Sequence, residues 1–137
     1  MSSRDYAVED YGIVLTMRDL KSICMRSFQD CTEADWEEDP YGFIDELRDA
    51  IDLCYCGDMT GEAFAVGTDG RDQYYDSITF SGEQIYYLAI RKYPTLFRGA
   101  YQCFDDMVAD LKDAMGKYAP DGFDFSNVRH IIGTYFG

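Results

Sequence analysis

Glu62-Ala63-Phe64-Ala65-Val66, Tyr74-Tyr75-Asp76-Ser77-Ile78-Thr79-Phe80 and Gln84-Ile85-Tyr86-Tyr87-Leu88-Ala89-Ile90 decide the fold. All three are rich in the aromatic and β-branched residues that suit a pleated surface. Gly67-Thr68-Asp69-Gly70 separates the first two, and Ser81-Gly82-Glu83 the last two. Connections that short join antiparallel neighbours, so the pattern predicts an antiparallel meander that ends at Tyr93-Pro94.

Outward from the meander, strand and helix signals do not alternate regularly. Tyr11-Gly12-Ile13-Val14-Leu15-Thr16 reads as a strand, and Thr16 with Asp19 has the spacing of a capping box. From Met17 to about Asp30, Leu20, Ile23, Cys24, Phe28 and Cys31 recur at helical spacing, with Arg18, Lys21 and Arg26 on the other side. Thr32 to Asp39 predicts one short helical turn. Asp39 then caps a second helix that carries Pro40 at its first position, where a missing N–H costs nothing. Phe43, Ile44, Leu47, Ala50, Ile51 and Cys54 form its expected apolar face. A third helix is predicted from Phe104 to Tyr118, and a last strand from Val128 to Phe136. The expectation is a single α+β domain over residues 1–137, with an antiparallel sheet of four to five strands and about three α-helices.

Composition narrows the function. The 137 residues carry 26 acids and 12 bases, a formal charge of −14, while 16% are aromatic. A chain so rich in aromatics is not a disordered acidic tail. Its charge argues against direct binding to nucleic acid or to an anionic membrane, because both require a basic footprint. Met1-Ser2-Ser3-Arg4-Asp5-Tyr6 lacks the apolar core of a signal peptide, and no run of 18 apolar residues occurs. Five cysteines (Cys24, Cys31, Cys54, Cys56 and Cys103) suit free core thiols in a reducing cytoplasm.

The charge is concentrated. Asp30, Glu33, Asp35, Glu37, Glu38, Asp39, Asp45, Glu46, Asp49 and Asp52 face a single base, Arg48, so this segment carries −9 of the −14. At a helical rise of about 1.5 Å per residue the 23 residues would extend roughly 35 Å. That is one carboxylate per roughly 3.5 Å, close to the phosphate spacing of a DNA strand. Asp45, Asp49 and Asp52 would share one helix face, and Trp36 and Tyr41 supply aromatics of the kind found in interface hot spots. A solvated helix face with acids near helix N-termini is the competing account, and the near absence of interleaved bases weakens it.

A smaller acidic group, Asp69, Asp72 and Asp76, surrounds a Gly-rich turn and is a candidate second contact. It lacks the oxygen-ligand pattern of a calcium loop, and Cys54-Tyr55-Cys56 lacks a partner pair for zinc, so no metal or other cofactor is expected. No GxSxG, P-loop, GxGxxG or HExxH motif occurs. The lone His130, in Val128-Arg129-His130-Ile131-Ile132, reads as a packed sheet residue. The expectation is a protein without enzymatic activity.

Asp10-Tyr11-Gly12-Ile13-Val14, Arg91-Lys92-Tyr93-Pro94-Thr95-Leu96-Phe97, Lys117-Tyr118-Ala119-Pro120-Asp121 and Arg129-His130-Ile131-Ile132-Gly133-Thr134-Tyr135-Phe136 look like segments of small proteins from phages and mobile elements. With its size, acidity and lack of enzyme motifs, the chain resembles anti-CRISPR proteins of the type II class. The resemblance implies direct binding to an RNA-guided DNA nuclease in a bacterial cytoplasm, with an acidic face occupying the site that reads the target motif. It transfers no functional residue by position. The alternative is an acidic module that engages another host protein, such as a restriction enzyme or a transcription factor, through aromatic contacts.

Overall fold

The computed structural model describes residues 5–90 and 104–136. In chain order these form β1 (Asp5–Leu15), α1 (Met17–Ser27), α2 (Glu33–Glu38), α3 (Pro40–Ala50), β2 (Leu53–Val66), β3 (Asp72–Ala89), α4 (Phe104–Met115) with a 3₁₀ turn at Gly116–Tyr118, and β4 (Arg129–Phe136). All strand pairs are antiparallel, in the order β1-β3-β2-β4, and β4 returns to β1 to close a small barrel. The architecture is α+β. Among the described residues no helix is long and apolar enough to cross a membrane. The predicted sheet end at Tyr93-Pro94 and the thiol of Cys103 lie outside the described residues.

Local signals place the first helices. Thr16 caps α1 through a reciprocal box with Asp19, and Thr32 caps α2 in the same way with Asp35. Asp39 caps α3, its Oδ1 accepting the Gly42 N–H at 3.3 Å, and Pro40 sits at the first helical position. The residue before a proline is disfavoured in helical geometry, so α2 and α3 are separate helices that meet at Asp39. The acids therefore do not form one 35 Å rod.

Cys54 belongs to β2, because the helix stops at Ala50, which is exposed. Asp52 likewise lies past the helix end. Ser81-Gly82-Glu83 is no hairpin turn but a point inside the 18-residue β3. Met59 pairs with Glu83 and Thr60 with Ser81, so Gly82 is the extra residue of a bulge; its φ is 71° and its N–H donates to Thr60 Oγ1 at 3.2 Å. On β2 the register also shifts between Cys56 and Met59, where Asp58 adopts φ 45°. Bulges bend and twist the strands that carry them, and here they let two long strands wrap into a barrel. Gly61 faces Gly133 at the β2–β4 seam, where a Cβ on Gly61 would lie 2.7 Å from Gly133 Cα.

Strand pleating feeds two apolar cores. Ile13, Leu15, Leu53, Tyr86 and Leu88 point outward against Leu20 and Ile23 of α1, Ile44 and Leu47 of α3, and Leu111 and Met115 of α4. Their neighbours Val14, Cys54, Cys56, Tyr87 and Ala89 point into the barrel with Met59, Phe80, Ile85 and Ile131. Because both faces are covered there, the run from Ile85 to Ile90 is buried throughout.

Candidate functional site

The acidic segment folds into the turn after α1, the two short helices α2 and α3, and the exit from α3. Part of its charge has local work. Glu33 forms an ion pair with Lys21, Asp35 and Asp39 are caps, and Arg48 lies 3.9 Å from Asp45 while its guanidinium sits 5.5 Å from the centre of the Tyr55 ring. Among the described residues the carboxylates of Asp30, Glu37, Glu38, Glu46 and Asp49 make no hydrogen bond or ion pair.

The carboxylates collect on the two flanks of α3. At 100° per residue Asp45 and Asp49 lie about 40° apart, with Glu46 on the other flank. Asp30, Asp35, Glu38, Asp39 and Glu46 line one shallow, open hollow together with Gly42 and Phe43. Asp45, Asp49 and Asp52 line a second with Arg48. Cys31 lies beside the first hollow, only 4% exposed. Burial pushes its thiol up, and Asp35, Asp30 and Glu46 push it further. Five carboxylates around one hollow repel one another, and nothing described neutralises them.

The aromatics of this segment part company. Trp36 is 7% exposed and packs in the outer core, so it anchors α2 and is not a surface contact; its indole is needed to fill the space beneath so short a helix. Tyr41, 49% exposed, stands at the start of α3.

The second acidic group, read from the sequence as a second contact at a hairpin tip, has partners within the fold. Asp69 Oδ1 accepts the Arg71 N–H at 3.0 Å within the β2–β3 turn. Asp72 Oδ2 lies 2.7 Å from His130 Nδ1, and Glu9 Oε2 lies 2.9 Å from His130 Nε2. A ring carrying hydrogen on both nitrogens donates to both. The Tyr11 ring stacks on the imidazole at 4.3 Å and 9°. Next to it the buried Arg129 donates from Nη1 to the Ala63 carbonyl at 2.9 Å and pairs through Nη2 with Asp76 at 3.3 Å. With both ring nitrogens engaged and the side chain 5% exposed, His130 is a tie between β1, β3 and β4.

That tie joins residues far apart in sequence, and sequence reasoning missed Glu9, Tyr11 and Arg129. It also passed over Tyr74 and Tyr75, which are 74% and 87% exposed. The signal available was three acids in one hairpin facing the only histidine in the chain. Inside the barrel, the Tyr87 hydroxyl donates to Asp10 at 2.5 Å, and burial pushes the Tyr87 hydroxyl and the neighbouring Cys56 thiol up, the latter to about 11. The four described cysteines are free. Among the described residues no group of three or more His, Cys, Asp or Glu is placed to hold a metal ion. Comparisons with protein-family profiles, with curated proteins and with solved structures find no match.

Proposed function

We propose that this chain is a stoichiometric binding protein that offers the carboxylates of α2 and α3 to the nucleic-acid-binding surface of a basic partner, in competition with DNA. The observation that supports it is the pair of acidic hollows flanking α3, where the carboxylates of Asp30, Glu38, Glu46 and Asp49 form no ion pair among the described residues and Arg48 is the one cation, lining the second hollow. Folding brings these charges together at a repulsive cost, and an array of Arg and Lys groups that normally holds phosphates would relieve it. The resemblance to anti-CRISPR proteins makes a guide-loaded type II effector nuclease the first partner to test, with the acids occupying its motif-reading site.

Such binding is steered by charge, so it weakens as salt rises and collapses on charge reversal. The test is displacement of target DNA from the guide-loaded nuclease by this chain, repeated with Asp45, Glu46 and Asp49 changed to Lys. Retained displacement by the reversed variant overturns the proposal. A second reading, an aromatic contact to another host protein such as a restriction enzyme or transcription factor, draws support from the half-exposed Tyr41. Salt-insensitive capture lost on Tyr41→Ala would favour it.

A further inference from the structure

Tyr74 and Tyr75 stand in a bulge. Phe64 of β2 pairs with Ser77 and Ala65 pairs with Gln73, so Tyr74, Tyr75 and Asp76 are looped out of the ladder. The loop is held in shape from below. Arg129, 9% exposed, reaches from β4 to the Asp76 carbonyl oxygen at 3.4 Å and to the Asp76 carboxylate at 3.3 Å. The Phe64 ring meets Tyr74 edge-on at 5.2 Å. Neither tyrosine contributes to either core, and Ile78, 39% exposed, continues the patch.

The electrostatics here differ from those of α2 and α3. Asp76 is paired with Arg129, Asp72 is hydrogen-bonded to His130, and the exposed Arg71 lies two residues from Asp69. On a chain of net charge −14, this is a place where the acids are held by partners within the fold: Asp76 by Arg129, Asp72 by His130 and Asp69 by the Arg71 N–H. A contact can therefore dry out the tyrosine rings without stranding a carboxylate.

We propose that the Tyr74–Tyr75 bulge is a second, short-range contact for the same basic partner, taking arginine side chains on its ring faces. This rests on the proposed function for the partner's basic character. A planar guanidinium stacks on an aromatic face, whereas an ammonium does so less well. A second copy of this chain is disfavoured as the occupant, since two surfaces of −14 repel. The acids of α2 and α3 supply long-range attraction, and the bulge supplies selection of arginine over lysine.

The test uses octa-arginine and octa-lysine peptides as probes, titrated at 0.15 M salt into the intact chain and its variants. The intact chain binds octa-arginine roughly fivefold tighter than octa-lysine. Tyr74→Leu with Tyr75→Leu lowers that ratio to roughly twofold, the remainder coming from bidentate pairing with carboxylates, and leaves octa-lysine affinity unchanged. Tyr75→Leu alone, which keeps the Phe64–Tyr74 contact, lowers the ratio part of the way. Lysine reversals at Asp45, Glu46 and Asp49 weaken both peptides and keep the share of the ratio that the tyrosines supply. An unchanged ratio in the double tyrosine variant overturns the bulge proposal. So does a dimer seen by sedimentation velocity that the tyrosine variants abolish. Reversals that leave both affinities unchanged overturn the acidic reading instead.

Discussion

Replacing His130 with alanine removes the tie between three strands, and the loss can be worked out from its partners. The Asp72 side chain is 14% exposed and loses a charge-assisted hydrogen bond that water cannot fully replace, about 2 kcal/mol. Glu9 is 46% exposed and recovers solvent, so its share is a few tenths of a kcal/mol. The stack on Tyr11 adds about 1 kcal/mol. The total, about 3 kcal/mol, is a large fraction of the 5–15 kcal/mol that stabilises an ordinary domain. For a chain of this length it lowers Tm by about 10 °C. Thermal unfolding followed by circular dichroism at pH 7 reads the value, and the order of costs is the sharper check. His130→Ala should exceed Asp72→Asn, and Asp72→Asn should exceed Glu9→Gln. A Tm loss under 3 °C for His130→Ala, or a Glu9 variant worse than the Asp72 variant, refutes the structural role of this network. Below its Tm the His130 variant should still displace DNA from the partner.

Gly61→Ala forces a side chain against the β4 backbone at the barrel seam, and the variant should be insoluble or lack the native near-ultraviolet spectrum. Asp39→Ala removes the α3 cap and should cost about 1 kcal/mol in urea unfolding. Trp36→Ala should cost about 3–5 kcal/mol, whereas Tyr41→Ala should stay within about 0.5 kcal/mol; equal costs would contradict the burial assigned to Trp36. Burial pushes the Cys24 thiol up to about 12, so at pH 8 it is almost wholly protonated in the native state. Peptide mapping after iodoacetamide treatment should find Cys24 unmodified until urea unfolds the chain.

The parts of this fold written in adjacent residues were legible. Thr16 with Asp19, and Asp39 with Pro40, place two helix starts because a cap is a contact within one turn. What was lost depends on partners distant in the chain. Cys54 extends the helical spacing of Leu47 and Ile51. Only the second core, which covers Cys54 and Cys56 from inside the barrel, makes that stretch a strand with two buried faces. Gly82 offers the same backbone freedom to a hairpin turn or to a bulge, and the register of β2 selects the bulge. In the candidate site the clustering of acids was visible, but their division between caps, ion pairs and uncompensated charge was not. The break at Asp39 folds the expected rail back on itself and sets the acids on two flanks of α3. His130 meets Glu9 across 121 residues and Asp72 across 58, beyond the reach of any local pattern.

The proposed role of the α2 and α3 acids, occupying a surface that otherwise holds DNA, is open to direct measurement. The assay is fluorescence anisotropy of a labelled target duplex on guide-loaded type II effector nuclease, with this chain titrated in at low and high salt. Displacement should weaken steeply as salt rises, and changing Asp45, Glu46 and Asp49 to Lys should raise the half-displacing concentration by roughly tenfold or more. Absence of displacement by the intact chain, or displacement unaltered by the three reversals, would contradict that role.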